Sequence, residues 1–187
     1  MANKDAAFGL KATGKVGQNR DNKGLSEYSI AASATAIYQW DPVEMLDTGT
    51  IGVAAAGDVL LGSLNGVFYT DASTSKPTWA NHLEASNTAT DIVGFVADDP
   101  YERFEIQSDG ALTAAEVGMN ADIVYAAGAS PNYVSKVELD NYDLKTATAQ
   151  LRVIGISKDP ANNEAGAADV NAVVIINEHF LKGTVGV

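Results

Sequence analysis

The hydrophobic positions of this chain fall in short runs separated by clusters of glycine, asparagine, aspartate and proline. After Gly57-Asp58, the run VLLGSL at 59–64 is followed by the dipeptide Asn65-Gly66 and by VFYT at 67–70. Two β-prone runs joined by Asn-Gly are a strong local signal for a β-hairpin. The pattern therefore predicts a hairpin at 59–70 with its turn at Asn65-Gly66.

A second pair of apolar runs flanks an acidic turn. DIVGFVA at 91–97 and FEIQ at 104–107 lie on either side of Asp98-Asp99-Pro100. Proline interrupts the hydrogen bonding of a strand, and aspartate side chains suit turns. These two runs are therefore predicted to form a second hairpin.

The remaining patterns are also typical of a β protein. Thr113 and Glu116 have the spacing of a capping box and Gly118 follows, which predicts one short helix. Residues 26–40 fit neither period well and are predicted to be extended. We expect a mainly β fold, a small β-barrel or β-sandwich with one short helix and an extended N-terminal arm. Further predicted strands lie at 121–126, 133–139, 151–157 and 172–177.

The first 25 residues differ from the rest in charge and composition. They carry a formal charge of +3, which leaves −15 for residues 26–187. The segment is rich in glycine, asparagine and lysine, so we expect an arm at 1–25 and a β-rich body at 26–187, a single domain or two small β subdomains. The arm is either a disordered tail or a segment that orders on a partner, and a body without residues 1–24 is expected to fold. The candidate partner-binding residues are Phe8, Leu10, Lys11, Lys15, Val16 and Arg20.

Overall composition narrows the classes of function. The net charge of −12 disfavours binding to nucleic acid or to anionic lipid. The chain has no cysteine, which excludes disulfides, thiolate metal sites and cysteine nucleophiles. Its start lacks the apolar stretch of a signal peptide, and its longest aliphatic run, at 173–176, is too short to span a bilayer. These features favour a soluble protein that is not secreted.

Few residues suggest catalysis or metal binding. Asp47-Thr48-Gly49 is similar to the loop of aspartic proteases, but the same residues are ordinary in turns. His82 and His179 are not spaced as metal ligands, and Asp140 and Asp143 lack the loop glycine and distal glutamate of an EF-hand. We therefore expect no enzyme activity, no cofactor and no bound metal.

Three stretches together resemble structural proteins of marine tailed phages. They are the opening MANKDAAFGLKATGKVGQNRDNKGLSEY, the middle VGFVADDPYERFEIQ, and the tail QLRVIGISKDPANNEAGAADVNAVVIINEHF with its closing Ile-Asn-Glu-His. Among such proteins, a small acidic β protein is similar to a capsid decoration, or cement, protein. The resemblance implies binding to the major capsid protein and to copies of the chain itself, with a trimer as one arrangement. It places the protein on the capsid exterior after synthesis in the host cytoplasm.

Three other functions remain open from the sequence. A tail or head-tail connector component would share the same composition. An aspartic protease would use Asp47. A carbohydrate-binding module would need an aromatic platform, and Trp40 and Trp79 are not set in an evident one; the aromatic residues are expected mainly in the core or in interfaces.

Overall fold

The computed structural model describes residues 2–17 and 24–183. Strands hold 39% of the residues and helices hold 3%, which confirms the predicted mainly β fold. The strands in chain order are β1 (Lys11–Lys15), β2 (Ser26–Ser29), β3 (Pro42–Met45), β4 (Ile51–Val53), β5 (Leu60–Thr70), β6 (Pro77–Ala80), β7 (Val93–Ala97), β8 (Glu102–Gln107), β9 (Asn120–Ala121), β10 (Ile123–Val124), β11 (Glu138–Leu139), β12 (Leu151–Ile156) and β13 (Asn171–Ile176).

Antiparallel pairing organises these strands into two large sheets and one small sheet. The six-stranded sheet has the order β2-β7-β5-β3-β4, with β6 also paired to β5, and the five-stranded sheet has the order β1-β8-β13-β12-β9. Strands β10 and β11 form a separate pair. The sheets pack together as in a β-sandwich, and within the described residues they form no closed barrel.

The core has two hydrophobic clusters, and β5 contributes to both. Side chains of successive strand residues point to opposite faces. Leu60 accordingly packs in the cluster that contains Phe104 and Val174 of the five-stranded sheet, whereas Leu61 packs in the cluster around Val67 and Val96. The six-stranded sheet therefore has apolar packing on both of its faces near β5.

The predicted turn at Asn65-Gly66 is wrong. Both residues lie inside β5, which pairs with β7 on either side of them, from Ser63 opposite Ala97 to Phe68 opposite Val93. The register shifts between Leu64 and Gly66, so the dipeptide forms a β-bulge rather than a turn. The chain reverses further on, between β5 and β6.

The second predicted hairpin is also wrong, although its two strands exist. Strands β7 and β8 belong to different sheets, and the acidic link between them crosses from one sheet to the other. Asp98 accepts hydrogen bonds from the hydroxyls of Ser26 (2.9 Å) and Tyr28 (2.6 Å) on β2. Asp99 pairs with Lys15 of β1, which lowers the pKa of the Asp99 carboxyl. The two carboxylates thus tie the link to one strand of each sheet.

The predicted short helix is confirmed as a single 3₁₀ turn at Ala114–Glu116. The Glu116 carboxylate accepts hydrogen bonds from the backbone N–H and the hydroxyl of Thr113, which holds the start of the turn. A second 3₁₀ helix, which the sequence pattern did not predict, spans Phe180–Lys182. The predicted extended region at 26–40 begins with β2 and continues as loop, with bridges at Ile37 and Gln39.

The sequence predicted an N-terminal arm outside the core, but part of this segment packs in the core. Leu10 is fully buried in the cluster beneath the five-stranded sheet, and β1 is the edge strand of that sheet. The backbone N–H of Leu10 donates to the carbonyl of Trp40 (2.9 Å), and its own carbonyl accepts from the Ser63 hydroxyl. Residues 9–15 therefore form part of the folded body.

Candidate binding surfaces

Three of the predicted partner-binding residues are used by the chain's own fold. Leu10 is buried, and Lys15 is paired with Asp99. Phe8 is half-buried and meets the ring of Trp40 edge to face, with centroids 6.4 Å apart. These three side chains contribute to the stability of the body and offer little surface to a partner. Arg20 lies outside the described residues.

The other two, Lys11 and Val16, are exposed on or beside β1. The Lys11 Nζ lies 5.5 Å from the centroid of the Trp40 ring, a cation–π distance. Val16 is 41% exposed, and its backbone N–H donates to the carbonyl of Tyr101 (2.8 Å). Of the predicted set, only these two face solvent in the part of the chain that the structure describes.

Val16 belongs to a larger exposed surface at the end of β1. Tyr101 is 63% exposed, and the Lys182 Nζ lies 4.9 Å from the centroid of its ring. Leu181, next to Lys182, is also exposed. We call Val16, Tyr101, Leu181 and Lys182 the β1 edge patch. The patch lies at the ends of β1 and β8. Among the described strands, β1 has a neighbour on one side only, β8, so its other side is an open strand edge.

Asp47-Thr48-Gly49 forms the turn of the hairpin between β3 and β4. The Leu46 N–H donates to the Thr50 carbonyl (2.9 Å), and Gly49 has φ +75°, a left-handed conformation that favours glycine. The Asp47 side chain is exposed on this turn. This geometry is that of an ordinary two-strand connection.

The two histidines lie in different surroundings. The ring of His82 is stacked on Tyr133, with centroids 3.9 Å apart and planes 3° apart, and a second ring, Tyr38, lies 6.3 Å away. His179 is buried; its Nδ1 accepts from the Leu181 N–H (3.1 Å), and burial lowers its pKa to about 4. His179 is therefore neutral at physiological pH and caps the second 3₁₀ helix.

Asp41 is a fully buried carboxylate that the sequence analysis did not single out. Its Oδ2 accepts from the Tyr38 N–H (2.7 Å), and Ser135 also hydrogen-bonds the carboxylate. Its Oδ1 accepts no hydrogen bond from the described residues. Burial raises the pKa of Asp41 to about 6, because the charged form loses its hydration. Its neighbours Pro42 and Glu44 do not belong to a regular apolar pattern, so the burial of Asp41 could not be predicted from the sequence.

We expect Asp41→Asn to change the pH dependence of stability. The folded state binds the Asp41 proton more tightly than the unfolded state, so this group's contribution to stability rises as the pH falls from about 7 towards 4. Relative to wild type, the variant should gain about 2 kcal/mol between about pH 4.5 and pH 8. Urea unfolding at both pH values measures this difference. His179 opposes the trend in both proteins and cancels in the comparison; an equal difference at both pH values would contradict the assignment.

Among the described residues, three carboxylates lie close enough together to bind one metal ion. Oxygens of Asp5, Glu138 and Asp169 all lie within 4.8 Å of one another, and they could supply ligands to a hard cation such as Ca²⁺. Burial and the neighbouring carboxylates raise the pKa of Glu138. By contrast, Asp140 accepts hydrogen bonds from the N–H groups of Tyr142 and Asp143, which places the predicted acidic turn there.

Aromatic side chains come together on one face of the six-stranded sheet. Phe68 and Trp79 are cross-strand partners on β5 and β6, and Phe95 on β7 lies beside them. The Trp79 centroid is 4.9 Å from that of Phe95, with planes 24° apart, and 4.9 Å from that of Phe68. We call these three residues the aromatic platform. It corrects the expectation that Trp79 is not set in a platform, since strand pairing joins rings that are 11 and 16 positions apart in sequence.

Comparison with known proteins leaves the family of the chain open. No protein-family model, curated protein sequence or solved structure matches it. Within the described residues, no helix has the length and apolar character needed to cross a membrane.

Proposed function

We propose that this chain is a capsid decoration protein of a tailed phage, which binds the outer surface of the major capsid lattice and stabilises the shell through non-covalent contacts. The observation that carries the proposal is the open edge of β1, together with the exposed β1 edge patch at the ends of β1 and β8. The sequence resemblance to phage structural proteins supplies the class of partner.

An open strand edge can bind a neighbouring chain through its backbone. A strand from a partner can pair with β1 by main-chain hydrogen bonds, while exposed side chains beside the edge provide contact area. Val16, Tyr101 and Leu181 supply apolar area, and tyrosine is enriched in protein interfaces. Lysines on an edge strand also discourage indiscriminate pairing, so Lys11 favours a partner with acidic groups at this position.

The acidic body is consistent with the same role. A decoration protein sits on the exterior of a shell and is expected to remain apart from the packaged genome, and the charge of −15 on residues 26–187 disfavours contact with nucleic acid. The proposed partners are the major capsid protein and further copies of this chain.

We expect a Val16→Asp, Tyr101→Ala variant to bind decoration-free capsids at least about tenfold more weakly than wild type, because it places a charge in the patch and removes its largest ring. Co-sedimentation of the purified protein with such capsids measures the affinity. Tyr142→Ala is the matched control, because Tyr142 is 84% exposed and outside the patch.

Unchanged binding of the double variant would show that the β1 edge patch does not contact the capsid. Quantitative mass spectrometry of the particle provides an independent check. A copy number comparable with that of the major capsid protein supports decoration, whereas a much smaller one indicates a tail or connector component.

A further inference from the structure

The aromatic platform presents a supported indole face to solvent. Trp79 is 69% exposed although Phe95 stacks against one side of its ring and Phe68 lies against it at 52°. A soluble protein gains nothing in core stability by leaving its largest apolar ring outside. The two phenylalanines hold the ring in place, so a ligand that stacks on it loses little side-chain entropy on binding.

The platform opens onto a groove. A hollow of about 500 Å³ beside Trp79 and Phe95 is lined by Leu25, Asn65 and Asn81. A second hollow, of about 230 Å³, shares Leu25 and Asn65 with the first and reaches Trp40. One tryptophan thus lines each of two adjacent hollows, and the first hollow has the size of a small-ligand site.

Gly66 lies at the floor of the groove, and the space above it is open because glycine has no side chain. Gly66 lies opposite Phe95 in the register of β5 and β7. A Cβ at this position would come within 3.1 Å of the Ala80 carbonyl oxygen, at the edge of the first hollow. The bulge at Asn65-Gly66 therefore leaves space beside the indole ring and turns Asn65 outward, where it is exposed.

Amide groups supply the polar contacts of the groove. The Asn81 Nδ2 donates to the Asn132 carbonyl (3.0 Å), and its Oδ1 lies 3.0 Å from the His82 Nδ1, so this side chain is held in one orientation. Exposed Asn65 adds a second amide between the two hollows. The Asn65 amide can both donate to and accept from hydroxyls, whereas Asn81, whose Nδ2 also donates to the Gln39 Oε1 (3.4 Å), offers its Oδ1 as an acceptor.

The charge of the groove narrows the class of ligand. Neither hollow is lined by an aspartate or glutamate among the described residues, although the whole chain carries −12, and Lys11 is the charged residue that lines them. Glu27 on β2 is the cross-strand neighbour of Phe95 at the rim. Nucleobases also stack on indole rings, but their phosphates would meet the strongly acidic body.

We propose that this groove binds a neutral glycan, with the apolar face of a hexopyranose stacked on Trp79 and its hydroxyls hydrogen-bonded by Asn65 and Asn81. Pyranose rings combine an apolar C–H face with a rim of hydroxyls, which matches an aromatic face flanked by amides. The inference does not depend on the capsid proposal, because Trp79, Asn65 and Asn81 are not part of the β1 edge patch. A particle that carries both surfaces would adhere to polysaccharide through its shell.

Affinity electrophoresis in gels that contain dextran, laminarin, yeast mannan or agarose oligosaccharides tests the proposal on the purified protein. We expect saturable retardation by at least one of these neutral glycans, weakened about tenfold or more in Trp79→Ala and largely kept in Trp79→Tyr, which retains a ring. Tyr142→Ala is the control for loss of an exposed ring elsewhere. Circular dichroism confirms that each variant is folded.

Fluorescence gives a second readout. The chain has two tryptophans, so in a Trp40→Phe background the emission comes from Trp79 alone and should change as the retarding glycan is added. Retardation by none of the four glycans, or equal retardation of Trp79→Ala, would overturn the proposal. So would loss of capsid co-sedimentation in Trp79→Ala with no effect on glycan binding, which would make the platform a protein-docking surface.

Discussion

Replacing Leu10 by alanine is expected to lower the free energy of unfolding by about 2–5 kcal/mol. Leu10 is 0% exposed and packs with the cluster that contains Phe104 and Val174, so truncation leaves a cavity between the N-terminal segment and the five-stranded sheet. Deletion of residues 1–24 should be more severe, since it also removes β1. This reverses the expectation from the sequence that the body folds without the segment. Urea unfolding monitored by circular dichroism measures the effect.

Leu25→Ala is the matched control for Leu10→Ala. The same atoms are removed, but Leu25 is 39% exposed, so the loss should stay below about 1 kcal/mol. Equal losses for the two leucines would mean that residues 9–15 do not dock on the body in solution.

Gly62→Ala is expected to lower the free energy of unfolding by at least about 3 kcal/mol, or to prevent folding. A Cβ on Gly62 would lie 2.2 Å from the carbonyl oxygen of Ala97 and 2.9 Å from a methyl group of Val96. The first contact is with backbone of the neighbouring strand β7, which cannot move without breaking its pairing with β5. The effect should appear in the midpoint of thermal or urea unfolding.

Gly155→Ala provides the corresponding control on β12. A Cβ there would meet no atom within 4 Å, and neither glycine has a positive φ. This substitution should be neutral or stabilising by up to about 1 kcal/mol, because it reduces the entropy of the unfolded chain. Similar losses at both positions would show that glycine is needed for a reason other than the close approach of β5 to β7.

Several of the strands were predictable from the sequence, but β1, β3, β4 and β6 and the pairing of the strands were not. The runs at 93–97, 151–156 and 171–176 are strands because their β-branched and aromatic residues suit a half-buried sheet. Pairing depends on contacts between residues far apart in the chain, which local patterns do not contain. Asp98-Asp99-Pro100 therefore signalled a change of direction correctly, but could not show that the next strand joins another sheet.

The candidate surfaces were less predictable for the same reason. Trp79 belongs to a platform because β6 pairs with β5 and β5 pairs with β7, which no spacing in the sequence reveals. Leu10 was grouped with Val16 as a partner contact, yet one is in the core and the other faces solvent. In a segment with few apolar residues, composition alone could not separate the two.

The strand order of the five-stranded sheet has a consequence for the order of events during synthesis. The six-stranded sheet uses residues between Ser26 and Ala97, so all of its strands are synthesised before β8. Strand β1 emerges first of all, but its partner β8 comes about 90 residues later, and β13 must follow to complete the other side of β8. Because domains fold as their segments become available, the segment translated first is docked among the last. Until β8 and β13 are made, Leu10 lacks the packing of Phe104 and Val174.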